Sequence, residues 1–114
     1  MQSTYRRNLP QLADRLFLTD GGLETTLIFH DGLDLPCFAS FVLLDTEEGR
    51  ARLDRYYESY LALARARRMG FVLDSATWRA NADWGRALGY DAEALARLNE
   101  AGIEHLVRLR ERWE

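Results

Sequence analysis

An apolar run that ends on an acid, with two glycines straight after it, limits this chain more than any other stretch. Leu16, Phe17 and Leu18 read as a short buried strand. Asp20 then falls at the carboxyl end of that strand. Gly21 and Gly22 let the backbone turn sharply and come close to a ligand. Leu23 to Phe29 can start a helical turn whose free amides point back toward Asp20. A carboxylate beside exposed amides suits both ends of an amino acid: the acid meets an ammonium and the amides meet a carboxylate. The same residues also fit a plain turn, because Asp-Gly is a strong hairpin signal between alternating strands. The upstream run does not alternate, and Leu23–Phe29 is a poor return strand. On the residues alone, both readings stay open.

Downstream, His30 to Pro36 is rich in turn residues and reads as a loop. Cys37 to Leu44 is apolar and passes for a strand on composition. Asp45-Thr46-Glu47-Glu48 is a helix start, with Asp45 placed to cap and Glu48 to reach back. Leu53, Tyr57, Tyr60, Leu61 and Ala64 then share one helical face, and the tyrosines read as core and rim packing. Arg65, Arg67 and Arg68 suit the negative end of the helix, and Gly70 its stop.

Phe71 to Leu73 reads as a second short buried strand, followed by the polar segment from Asp74 to Asn81. Asn81 can cap a short helix, Ala82 to Leu88, closed by Gly89. Asp91 can cap a last helix whose buried face is marked by Leu95, Leu98, Leu106, Leu109 and Trp113. Strand, helix, strand, helix predicts an α/β architecture with a parallel pair and a right-handed crossover. Two parallel strands have open edges, and self-association through them is expected.

Charge and cysteine usage narrow the classes. The 114 residues suffice for one small domain, and the net charge is −3. All 15 basic residues are arginine and lie interspersed with acids, so no basic stripe for nucleic acid is present. No apolar run approaches the roughly 18 residues of a membrane span. Residues 1–8 lack the apolar centre of a secretory signal, and Cys37 is the only cysteine, so the cytoplasm is the expected location. His30 and His105 stand too far apart and too isolated to suggest metal-ligand spacing, and His105 reads as a solvent-facing or packed residue.

Asp20-Gly21-Gly22-Leu23-Glu24-Thr25-Thr26-Leu27 resembles the first-strand motif of the homocysteine S-methyltransferase family, usually Asp-Gly-Gly/Ala-Met-x-Thr-Glu-Leu. Asp20, Gly21, Thr25 and Leu27 match; Thr26 stands where the family usually has Glu. The segment from Arg68 to Asn81 is similar to the family's second-strand motif. Thr77 and Ala80 match there, Trp78 replaces another aromatic residue, Ser75 replaces a Thr, and Ala76 replaces a frequent Asn. The resemblance spans about residues 16–107.

It implies an α/β fold, the first two βα units of a (β/α)8 TIM-type barrel, incomplete in this chain because a full barrel takes about 250 residues. Residues 1–114 are then a single partial domain with an N-terminal arm over 1–15. The implied activity is zinc-dependent transfer of a methyl group to a thiol, homocysteine to methionine. The partners implied are a small-molecule thiol and a methyl donor. Asp20, Gly21 and Gly22 would hold the amino-acid end of the thiol, and Ser75, Thr77 and Trp78 would line the pocket or the donor side. The family's zinc ligands are cysteines late in the barrel, and none is present here, so no catalytic or metal residue is assigned. The alternative is a stand-alone, non-catalytic α/β module that oligomerises or binds a protein partner.

Overall fold

Two long helices carry most of the packing. In the computed structural model, which describes residues 6–114, these are α2 (Glu47–Ala66) and α4 (Ala92–Trp113). Two short helices, α1 (Leu23–Phe29) and α3 (Ala82–Ala87), precede them in turn. Strands β1 (Phe17–Thr19) and β2 (Gly70–Val72) pair in parallel, with Phe17 opposite Gly70, Leu18 opposite Phe71 and Thr19 opposite Val72.

The expected class, two βα units of a (β/α)8 barrel, is corrected here. About 61% of the described residues are helical, and the sheet among them is two strands of three residues. The largest fully buried side chains are Tyr57, Phe41, Leu27, Leu44, Leu53 and Leu109, none of which belongs to a strand. The core is therefore a contact among α1, α2, α4 and the turn before α2, with the strand pair at its side. The expectation gave two apolar triplets the weight of sheet layers, whereas their residues are only half-buried or exposed.

Several local details trace to single residues. Cys37 to Leu44 forms no strand. Pro36–Phe38 and Ser40–Asp45 are 3₁₀ segments, with Cys37 and Phe38 both at φ 56°. That 3₁₀ run takes up Asp45, so Thr46 caps α2 instead, its Oγ1 accepting the Gly49 N–H at 2.9 Å. Helix α2 ends at Ala66, before Gly70, and the chain turns through Arg68 at φ 55°. Gly70 is small for another reason: a Cβ there would lie 2.3–2.6 Å from the ring atoms of Phe17. Asn81 and Asp91 cap α3 and α4, accepting from Trp84 N–H at 3.2 Å and Ala94 N–H at 2.7 Å. The expected N-terminal arm lies partly outside the described residues; within them, Pro10–Leu12 makes one 3₁₀ turn.

Helix α4 joins α2 partly through polar contacts, one of them buried. His105 is 5% exposed, and its Nε2 lies 2.6 Å from Asp54 Oδ1. Arg112 reaches the other oxygen of Asp54 at 3.3 Å. The histidine thus serves packing and polar satisfaction across two helices.

Candidate functional site

The parallel register brings the segments after both strands to one end of the pair. Asp20 comes directly after β1, and Leu73 and Asp74 directly after β2. Helix α2 runs beneath them and sends up consecutive tyrosines. The Tyr56 hydroxyl lies 2.7 Å from Asp20 Oδ2 and 3.0 Å from the Gly21 carbonyl oxygen. Its single proton goes to the nearer, charged acceptor. The Tyr60 hydroxyl donates to the Gly21 carbonyl at 3.1 Å. Tyr57, fully buried, donates to the Asp74 carbonyl. One helix face therefore fixes both strand ends, and Tyr56 stacks at its edge on Tyr57 with ring centroids 5.3 Å apart.

Asp20 is half-buried, and burial pushes its carboxyl above the ordinary value of 3.8. The Tyr56 hydrogen bond and its own backbone work the other way. The negative charges of Asp74 and Glu24 add to the rise. Burial, followed by the bond to Asp20, keeps the Tyr56 hydroxyl protonated and thus a fixed donor. The notch has an excess of negative charge, and among the described residues no arginine is an immediate hydrogen-bond partner of it. Glu24 is already held, accepting from the buried Ser40 hydroxyl at 2.8 Å, and its charge is felt from a fixed position.

The glycines do what the turn needs. Gly22 sits at φ 69° as the residue before α1, a left-handed conformation that other residues rarely adopt. A side chain at Gly21 would meet nothing within 4 Å, so its position is open above the notch. Among the described residues, neither Gly21 nor Gly22 N–H takes a backbone carbonyl.

The second predicted segment is arranged differently. The hydroxyls of Ser75 and Thr77 lie 2.6 Å apart, and this pair packs against α4. A Cβ on Gly102 would come within 2.9 Å of Thr77 Cγ2 and 3.8 Å of Ser75 Cβ. Trp78 is 64% exposed, and the Arg79 guanidinium lies 4.5 Å from its ring centre and 4.4 Å from that of Trp84. Arg79 also donates to the Cys37 carbonyl at 2.7 Å. No hydrogen bond between described residues links Ser75, Thr77 or Trp78 to Asp20. The structure thus joins Asp20 and Gly21 to Tyr56 and Tyr60, which sequence reasoning assigned to packing or passed over. Tyrosines one helical turn apart, at 56 and 60, were the signal that could have marked them.

Zinc does not fit the residues present. Cys37 is a lone exposed thiol, His105 is engaged with Asp54, and no three of His, Cys, Asp or Glu converge among the described residues. Purified protein is expected to hold no equimolar zinc by elemental analysis and to show no thiol methylation by itself; stoichiometric zinc with turnover would contradict this. No helix among the described residues is long and apolar enough to cross a membrane. No protein-family model, curated protein or solved structure matches this chain.

Proposed function

We propose that this chain is the amino-acid-holding portion of a thiol methyltransferase of homocysteine S-methyltransferase type, working in the cytoplasm, with Asp20 receiving the ammonium of the thiol substrate. The observation that supports this is the half-buried Asp20 carboxylate, oriented by Tyr56 and crowded by the charges of Asp74 and Glu24. Burial has removed water from this group and its neighbours repel its charge, so a cation that docks there relieves both penalties. A primary ammonium supplies that charge with three donors in a small volume. Gly21 and Gly22 keep the approach clear of side chains, and their N–H groups are suited to the substrate carboxylate. Ser75 and Thr77 brace the neighbouring loop against α4. Trp78 would meet the methyl donor on the exposed part of its ring that the Arg79 guanidinium leaves uncovered. The likeness of the two strand-end motifs adds the thiol; the carboxylate notch alone requires only an amine.

The test compares L-homocysteine with 4-mercaptobutyrate, the same thiol acid without the amine, by NMR titration of the labelled chain. L-homocysteine is expected to shift the Gly21 and Gly22 amides. Asp20→Asn should weaken it at least about tenfold, the weight of one charge-assisted contact. Equal binding of the two compounds, or equal binding to Asp20→Asn, would overturn the proposal.

A further inference from the structure

A cleft of about 370 Å³ lies between α2 and the segment formed by α1 and the turn after it. Arg52, Arg55, Tyr56, Ser59 and Tyr60 make one wall, a single stripe of α2 at the spacing of helix neighbours. Thr26 and Asp31 stand on the other side. One water takes roughly 30 Å³ of liquid, so the space admits a polyatomic group together with part of the molecule that carries it.

Most polar groups of this lining are already committed. The Tyr56 hydroxyl is placed on Asp20, and that of Tyr60 on the Gly21 carbonyl. Ser59 donates to the Tyr56 carbonyl at 3.0 Å. The two arginines are different. Arg50, Arg65, Arg79 and Arg112 are each spent on a carbonyl or a carboxylate. Among the described residues, Arg52 and Arg55 take no hydrogen bond, ion pair or aromatic face, and even Asp31 in the same cleft pairs with neither. Nor do they serve the notch: burial pushes the Asp20 carboxyl up, and no arginine charge counters it. The cleft thus keeps two cations against one acid, with the Thr26 hydroxyl as a further donor.

We propose that this cleft binds a phosphate group, held by Arg52 and Arg55 with the Thr26 hydroxyl. Two guanidinium groups present about ten N–H donors, whereas a carboxylate has about four acceptor sites and one charge. A phosphate monoester presents three acceptor oxygens and up to about two negative charges at neutral pH, so it matches both arginines. An amine or an apolar ligand would leave them unmatched. Every lining residue falls between Thr26 and Tyr60, so the site is built within one stretch of the chain. It does not use Asp20, and the two proposals stand or fall independently.

The probe is inorganic phosphate, titrated at constant ionic strength into the full labelled chain and read on the Arg52 and Arg55 side-chain N–H signals. Both should shift with one affinity. Arg55→Gln, at an exposed position, and Arg52→Gln should each weaken binding at least about fivefold, the weight of a charge-assisted contact. Asp31→Asn should tighten it, an opposite sign that loss of fold cannot produce. Asp20→Asn should leave phosphate binding intact while it weakens that of L-homocysteine. Glycerol 3-phosphate binding tighter than the inorganic ion assigns the site to an ester, and equal binding assigns it to free phosphate. Three outcomes would each overturn the proposal: no shift with phosphate at tens of millimolar, the same shifts from acetate or chloride at equal concentration, or unchanged binding when both arginines are replaced by Gln.

Discussion

Gly49→Ala is expected to destabilise the chain by about 3 kcal/mol, the upper part of the usual range for overpacking. Helix propensity alone gives the opposite sign, because alanine is favoured over glycine inside a helix by about 1 kcal/mol. Packing decides the matter. Gly49 is buried in the first turn of α2, where the 3₁₀ segment Ser40–Asp45 lies against it. A Cβ there would fall 2.2 Å from the Leu43 carbonyl oxygen and 2.7 Å from its Cα. These are backbone atoms, so no side-chain rotation clears them. The helix must draw back from the segment that carries Phe41 and Leu44 into the core. Chemical denaturation reads the effect as a lowered midpoint with an unchanged slope. A variant as stable as the parent, or more so, would show that the close approach is not formed.

Asp20→Asn should raise stability at neutral pH while removing the proposed amine site. The two effects share one cause. Burial and the charges of Asp74 and Glu24 hold the Asp20 carboxyl above its unfolded value. A carboxyl raised in this way stabilises the fold fully below the unfolded value, and that contribution is lost as pH rises through the folded one. At pH 7 the parent chain therefore carries a charge the fold disfavours, and Asn does not. Asn still offers an oxygen to the Tyr56 hydroxyl, so the hydrogen bond persists. The thermal midpoint of the variant should exceed that of the parent at pH 7, with the gap closing as pH falls toward 3.8. A gap that widens on acidification would mean that the native carboxylate is favoured.

The helix caps and stops were partly legible, for reasons visible residue by residue. Asn81 and Asp91 stand alone before apolar periodic runs, so their capping could be read directly. Asp45 and Thr46 are adjacent and equally able to cap; the choice between them rests on the 3₁₀ run before α2, a tertiary arrangement with no local signature. Gly70 looked like a helix stop because stops favour glycine, yet it is fixed by the Phe17 ring 53 residues earlier in the chain. The barrel expectation failed on proportion. Apolar triplets at Leu16–Leu18 and Phe71–Leu73 show that short strands form, but not that helices supply the core. At the notch, the acid and glycines were evident from their order. Tyr56 was not, because a tyrosine on a helix is ordinarily packing and its hydroxyl acquires its role from Asp20, 36 positions away.

Carbon-detected NMR of the Asp20 side-chain carboxyl across pH is the most direct measurement. Without ligand its midpoint is expected above 3.8, and saturating L-homocysteine should draw it down, because a bound ammonium favours the charged form. A midpoint at or below 3.8 that the amino acid leaves unmoved would contradict the assignment of Asp20 as the amine seat.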